Sequence, residues 1–217
     1  MIVTIDGPAG SGKSTAARGL ARRLGFDFID TGAMYRAVAH SCREAGIDCT
    51  DGQQVTERAR QLAIGFDGAL VLLDGVDVTR ELRSPSISEE ASQVAQHPGV
   101  RSEMVRQQQA LVAQRDLVTE GRDQGTEVFP EAECKFFLEA NAEVRAARRR
   151  EELLARGVEI PLEQTLEQIR QRDHRDRTRE ISPLRAADDA IRIDSSSLTA
   201  DEVLDEFERH VRNRQRD

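Results

Sequence analysis

The sequence predicts an α/β fold: a central parallel sheet flanked by helices, with an inserted small antiparallel β sub-domain. Three observations predict it. The opening "MIVTID" is a short apolar run that ends in a glycine-rich turn, as a buried parallel strand does. Three further runs read the same way: "DLVTEG" (116–121), "CKFFLEA" (134–140) and "AIRIDS" (190–195). Helical patterns separate these strands, and alternation of this kind implies a sheet covered on both faces.

Taken in order, residues 13–24 place Ala16, Ala17, Leu20, Ala21 and Leu24 at helical spacing, closed by Gly25. Further helices are expected at about 98–114, 142–156, 162–179 and 199–214. Residues 64–79, "IGFDGALVLLDGVDVT", break the alternation with two β-like runs around Gly68 and Gly75, which predicts a hairpin or small antiparallel sheet. Helices at about 53–63 and 84–96 flank it, so the piece reads as an insertion into one 217-residue domain. The basic run "RAARRR" (145–150) reads as a solvated helix face.

The 217 residues suffice for one sizeable core. A net charge of −8 argues against non-specific binding to nucleic acid or to an anionic membrane. No apolar run approaches a membrane span and no signal peptide is visible, so a cytoplasmic protein is expected. Its three cysteines, Cys42, Cys49 and Cys134, lack metal-binding spacing and read as buried thiols. Only two of the 31 basic residues are lysines, Lys13 and Lys135. Lys13 therefore stands out.

It falls in "GPAGSGKS" (7–14), which matches G-x-x-x-x-G-K-[ST] between a predicted strand and a helix. Such a pattern arises by chance in about 1% of chains this long. Glycines let backbone N–H groups converge on phosphate oxygens, and the helix start adds its positive end. Lys13, expected to be exposed in the loop, would bridge the β- and γ-phosphates of ATP, and the Ser14 hydroxyl would ligate Mg²⁺. The ATP loop comprises Gly7, Pro8, Ala9, Gly10, Ser11, Gly12, Lys13, Ser14 and Thr15. A GTPase would need Asn-Lys-x-Asp, yet neither asparagine, Asn141 or Asn213, precedes a lysine. The best candidates for a strand-end acid are single, Glu120 and Asp194. Size then favours a small-molecule kinase over a motor.

A kinase must also hold an acceptor. Asp30 and Thr31 sit where a helix cap would, with Arg36 one to two turns further in. "EGRDQGT" (120–126) follows a sheet strand, where such folds bind ligands, and offers Arg122 as a phosphate fork and Asp123 as an acceptor. In "RDHRDRTR" (172–179), Arg172, Arg175, Asp176 and Arg179 share one helix face. That stripe suits a mobile lid over polyphosphate.

Together "TIDGPAGSGKST", "DTGAMYR", "ASQVAQHPGVR", "EGRDQGTEVFP" and "RDHRDRTREISPL" resemble bacterial cytidylate kinase, in the family's order and over about residues 2–184. The resemblance implies phosphorylation of CMP and dCMP by ATP with Mg²⁺, in a P-loop kinase domain with a helical lid at about 145–179. It also implies a monophosphate-binding insert at about 60–96, and a monomer. Thr31, Arg36, Arg122 and Arg179 would hold the monophosphate. Ser92, Arg101 and Asp123 would face the base, and Arg172 and Asp176 the sugar hydroxyls. Lys13, Arg122, Arg172 and Arg179 would carry the developing charge. Gln124 departs from the family, which usually has an apolar residue there. The alternative is a UMP, AMP or other small-molecule kinase of the same class.

Overall fold

A computed structural model describes residues 1–112 and 115–216. Two compact units are present, one formed by residues 1–28 with 116–217 and the other by residues 29–115.

The first unit holds the parallel sheet apart from its residues Ile29 and Asp30. Strands β1 (Ile2–Asp6), β2 (Asp27–Asp30), β6 (Leu117–Gly121), β7 (Cys134–Glu139) and β8 (Ile191–Asp194) lie in the order β2-β6-β1-β7-β8. The central three are buried along nearly their whole length, which suits their β-branched and aromatic content. Helices α1 (Lys13–Leu24) and α8 (Ala200–Arg214) pack together over a core of Val3, Ile5, Leu20, Val118, Phe136 and Phe207. Gly25 ends α1 in the left-handed conformation (φ 71°), and Thr199 opens α8 with a capping box to Glu202. Helices α6 (Ala142–Leu154) and α7 (Leu162–Thr178) pair with each other. The register sets Asp6 beside Gly121, so the segments after β1 and β6 leave the sheet side by side.

The second unit contains α2 (Thr31–Glu44), α3 (Gly52–Gln61), β3 (Ile64–Asp67), β4 (Leu70–Leu73), β5 (Val76–Asp77), α4 (Pro85–Val94) and α5 (Pro98–Leu111). Its core includes Met34, Val38, Val55, Leu82, Val94 and Met104. The predicted hairpin is a three-stranded antiparallel sheet, because a second tight turn at Asp74–Gly75, both at positive φ, lets Val76–Asp77 pair back onto β4.

Other differences from the sequence reading are local. The helix expected over 98–114 ends at Leu111 in the structure, and its last two expected positions lie outside the described residues. The strand β2 was not foreseen. Only Ile29 of its four residues is buried, and an edge strand of that kind leaves a weak apolar signature.

Candidate active site

The phosphate loop follows the central strand. Gly7 has φ 150°, and a Cβ there would lie 2.0 Å from the Leu138 carbonyl oxygen, so no other residue fits. Gly12, at φ 91°, is the N-cap of α1 and turns the chain into the helix. The first amides of α1 are then the natural partners of an anion.

Lys13 is not exposed as expected but only 4% accessible. Its Nζ donates to the Pro8 carbonyl at 2.7 Å and reaches Ser11 Oγ at 3.5 Å, so the loop folds around its own lysine. Burial, together with the nearby Arg122 cation, pushes its pKa down to about 7, against the pull of Glu120. The loop thus holds a desolvated cation that a phosphate would relieve.

Ser14 Oγ donates to the Glu120 carboxylate at 2.7 Å. A buried strand-end carboxylate next to an exposed hydroxyl on a phosphate loop forms an all-oxygen donor set. That set fits Mg²⁺, which takes one or two protein oxygens and fills its remaining positions with phosphates and water.

Asp6 is a functional residue that the sequence reading does not single out, although it stands in "TIDGP". A strand that ends in a carboxylate immediately before a phosphate loop was the available signal. Its Oδ1 accepts the Gln124 amide at 2.9 Å and its Oδ2 the Gly125 amide at 2.8 Å. Burial raises its pKa to about 7, and Asp123 adds to the rise; the two amides and Lys13 oppose it.

Next along the chain come Arg122 and Asp123, and then a π-helical turn, Gln124–Val128. Turns of this type recur at functional sites. Arg122 Nε donates to Asp176 at 2.8 Å and its Nη1 to the Gly121 carbonyl at 3.1 Å. Asp123 is buried. Gln124, the departure from the family pattern, is buried and accepts from Thr119 Oγ1 at 2.9 Å, so its side chain is engaged with β6.

On α7, Asp176 is buried against Arg122. Burial alone would raise its pKa, but Arg122, then Arg172, hold it below the usual carboxylate range. Arg172 is half-buried on the same helix. Arg179 is the C-cap residue, just past the last helical position, and its Nε donates to the Ser182 carbonyl at 2.6 Å. The expected four-residue stripe therefore ends with Asp176 inside the helix and Arg179 turned into the following loop.

The basic run 145–150 is not simply a solvated face. Arg145 is buried, makes a bidentate pair with Asp173 at 2.6 and 3.0 Å, and donates to the Ala9 carbonyl at 3.0 Å. It joins α6 and α7 to the phosphate loop. Arg148 donates to the Ser195 carbonyl at 2.7 Å. A run of arginines carries no sequence signal for which member turns inward.

The second unit carries the other assigned residues. Asp30 is the N-cap of α2: it accepts the Ala33 amide at 2.9 Å and pairs with Arg36 at 2.9 Å. Thr31 is the first helical residue and is buried. A Cβ at Gly32 would lie 3.1 Å from Arg36 Nη1, so a side chain there would crowd the arginine. Arg101 is buried on α5, lies 5.6 Å over the Tyr35 ring and donates to the Ala95 carbonyl at 3.3 Å. Ser92 is buried on α4, and its Oγ has no hydrogen-bond partner among the described residues. A buried hydroxyl in that state has bonding capacity left for a ligand.

No helix among the described residues is long and apolar enough to cross a membrane.

A family model described as cytidylate kinase matches residues 3–213. The chain is 46% identical to a cytidylate kinase of Caldanaerobacter subterraneus subsp. tengcongensis, over 97% of this chain and 94% of that one. It is 47% identical to a cytidylate kinase of Geobacter sp. (strain M21), over 99% of this chain and 94% of that one. In shape it is similar to a shikimate kinase from Bacteroides thetaiotaomicron, with a TM-score of 0.50, 12% identity and 98% of each chain covered. That last likeness concerns the fold alone.

Proposed function

Since this chain belongs to the cytidylate kinase family, we propose that it transfers the γ-phosphoryl group of ATP to CMP and dCMP. The observation that carries the reading is the family match over 3–213, on a chain that also has a phosphate loop closed around a desolvated lysine. ATP is held by residues 7–15, with Lys13 on the transferring phosphates. Ser14, backed by Glu120, would hold Mg²⁺, which when bound would offset negative charge on the ATP phosphates. No general base is required, because the attacking oxygen already belongs to an anionic phosphate. Arg36, Arg122 and Arg179, with Thr31, bind the acceptor phosphate. Arg122 and Arg172, beside Lys13, oppose charge that builds on the equatorial oxygens. Arg172 and Asp176 reach the sugar.

Specificity follows from hydrogen-bond polarity. Cytosine offers an amino group at N4 and an acceptor at N3, whereas uracil offers the reverse. Asp123 and Ser92 suit the amino group, and Arg101 suits N3. UMP would set a carbonyl against a carboxylate and an N–H against a guanidinium. CMP and dCMP are therefore preferred over UMP by roughly 10²-fold or more in kcat/KM, with poor use of purine monophosphates. A panel of CMP, dCMP, UMP and AMP assayed with ATP and Mg²⁺ tests this. Comparable values for CMP, UMP and AMP would leave only an unspecified kinase. A monomeric, cytoplasmic enzyme belongs to the same proposal, and its oligomeric part is read by light scattering.

A further inference from the structure

We infer that Asp6 is a positioning residue for the acceptor side of the reaction: its carboxylate holds in place the turn that fixes Arg122 and Asp123. The two oxygens are used separately, one for each of two consecutive amides, Gln124 and Gly125. These are the first two residues of the π-helical turn, and the leading amides of a helical turn are the ones that look outside it for acceptors. Further along the turn, the Glu127 and Val128 amides return to the Asp123 carbonyl at 2.9 and 3.2 Å. Asp123 is thus gripped through its carbonyl by the turn, while Asp6 grips the two residues that follow it.

Packing confirms how tightly the turn is seated. A Cβ on Gly125 would lie 2.9 Å from Thr4 Oγ1 and 3.3 Å from Lys135 Cδ, so the turn rests directly on β1 and β7. Burying a carboxylate there is costly, and a mere strand end would not need one. The cost is incurred where the segment bearing Arg122 and Asp123 meets the strand that leads into the phosphate loop. The charged groups acting on Asp6 are Asp123 from that segment and Lys13 from the phosphate loop. Its sheet neighbours, Gly121 on β6 and Phe137 on β7, are uncharged.

An asparagine keeps the shape but has one acceptor oxygen, and it turns an NH₂ group toward the second amide. This inference rests on the CMP kinase reading, so wild type and Asp6→Asn are assayed side by side at pH 8. The expected result is a fall of about tenfold or more in kcat/KM for CMP, expressed in the KM for CMP. The KM for ATP should stay within about twofold, which a general loss of structure would not produce. The pH profile gives a second readout. Between pH 8 and 6 the KM for CMP should climb more steeply in wild type than in the variant, whose profile lacks the Asp6 step and keeps the ionisations of CMP and of Lys13. An unchanged KM for CMP, or equal weakening toward CMP and ATP, overturns the positioning role. Should Asp6→Asn not fold, Asp6→Glu keeps both acceptors on a longer arm and is measured for the same split between substrates. A wild type that does not turn over CMP refutes the kinase reading, and this inference with it; a variant without the split refutes this inference alone.

Discussion

Lys13 shows how one residue can oppose folding and serve catalysis. Its ammonium is buried beside the Arg122 cation, and the cost of that burial is what depresses its pKa to about 7. Lys13→Met keeps the bulk and removes the charge. It should lower kcat by at least about 10³-fold, as for loss of a transition-state cation, measured with ATP and CMP. The melting temperature of the unliganded variant should equal or exceed that of wild type at pH 6, where the folded lysine is still charged. A clear drop would contradict the desolvation argument. The same depressed pKa makes ATP binding a proton-uptake event, because phosphate anions favour the charged amine. Calorimetric titration at pH 8 in Tris and in HEPES, whose ionisation enthalpies differ and neither of which supplies a phosphate anion, should reveal net uptake. Identical heats in the two buffers would argue against it.

Among the elements, the α6–α7 pair carries a buried ion pair, Arg145–Asp173, beside the exposed pair Arg170–Glu143. Removing one partner strands the other charge in the interior. Asp173→Asn or Arg145→Met alone is expected to cost about 3–5 kcal/mol. The double variant Arg145→Met, Asp173→Leu should recover most of that loss, because no charge then remains buried without its partner. The Arg145 bonds to the Ala9 and Ala140 carbonyls would still be missing, and because Ala9 belongs to the phosphate loop a raised KM for ATP should persist in the double variant. Denaturant unfolding and ATP kinetics measured together test both parts. Additive losses of stability in the double variant would refute the coupling. The elements were legible in the sequence wherever periodicity was strong, as in α1, β1 and β7. The edge strand β2 was not, since a single buried side chain leaves no alternation to read.

For the molecule as a whole, Asp6 and Lys13 give stability an uncommon pH dependence. Asp6 titrates near 7 in the fold against an ordinary value of 3.8, so the folded chain binds more protons than the unfolded one between those limits. Its contribution is complete below about pH 4 and is lost as pH rises through 7. Lys13 titrates near 7 against 10.5, so here the unfolded chain binds more protons, and stability is regained from pH 7 upward. The expected signature is a melting temperature that declines from pH 5 to 7. The difference between Asp6→Asn and wild type should grow in the variant's favour over the same range. Differential scanning calorimetry checks both; a constant difference would show that Asp6 is already ionised in the fold at pH 5, with no raised pKa. Ionised Asp6 thus weakens the fold while bracing the acceptor segment, a trade between stability and function.

By itself the sequence determined the alternation of strands and helices, the phosphate loop and the family. Each of these is written in local periodicity or in contiguous motifs, and local geometry follows from local residue order. The arginine-rich segments were visible as charge but not as structure. Tertiary structure alone decided that Arg145 turns inward while Arg150 stays in solvent, and that Asp176 pairs with Arg122 across 54 residues. It also decided that Lys13 is enclosed and that Asp6 supports the turn after Arg122. Burial and the pairing of charges depend on which distant segments are brought together by the packing of β1, β6 and α7, and no window of sequence contains that information.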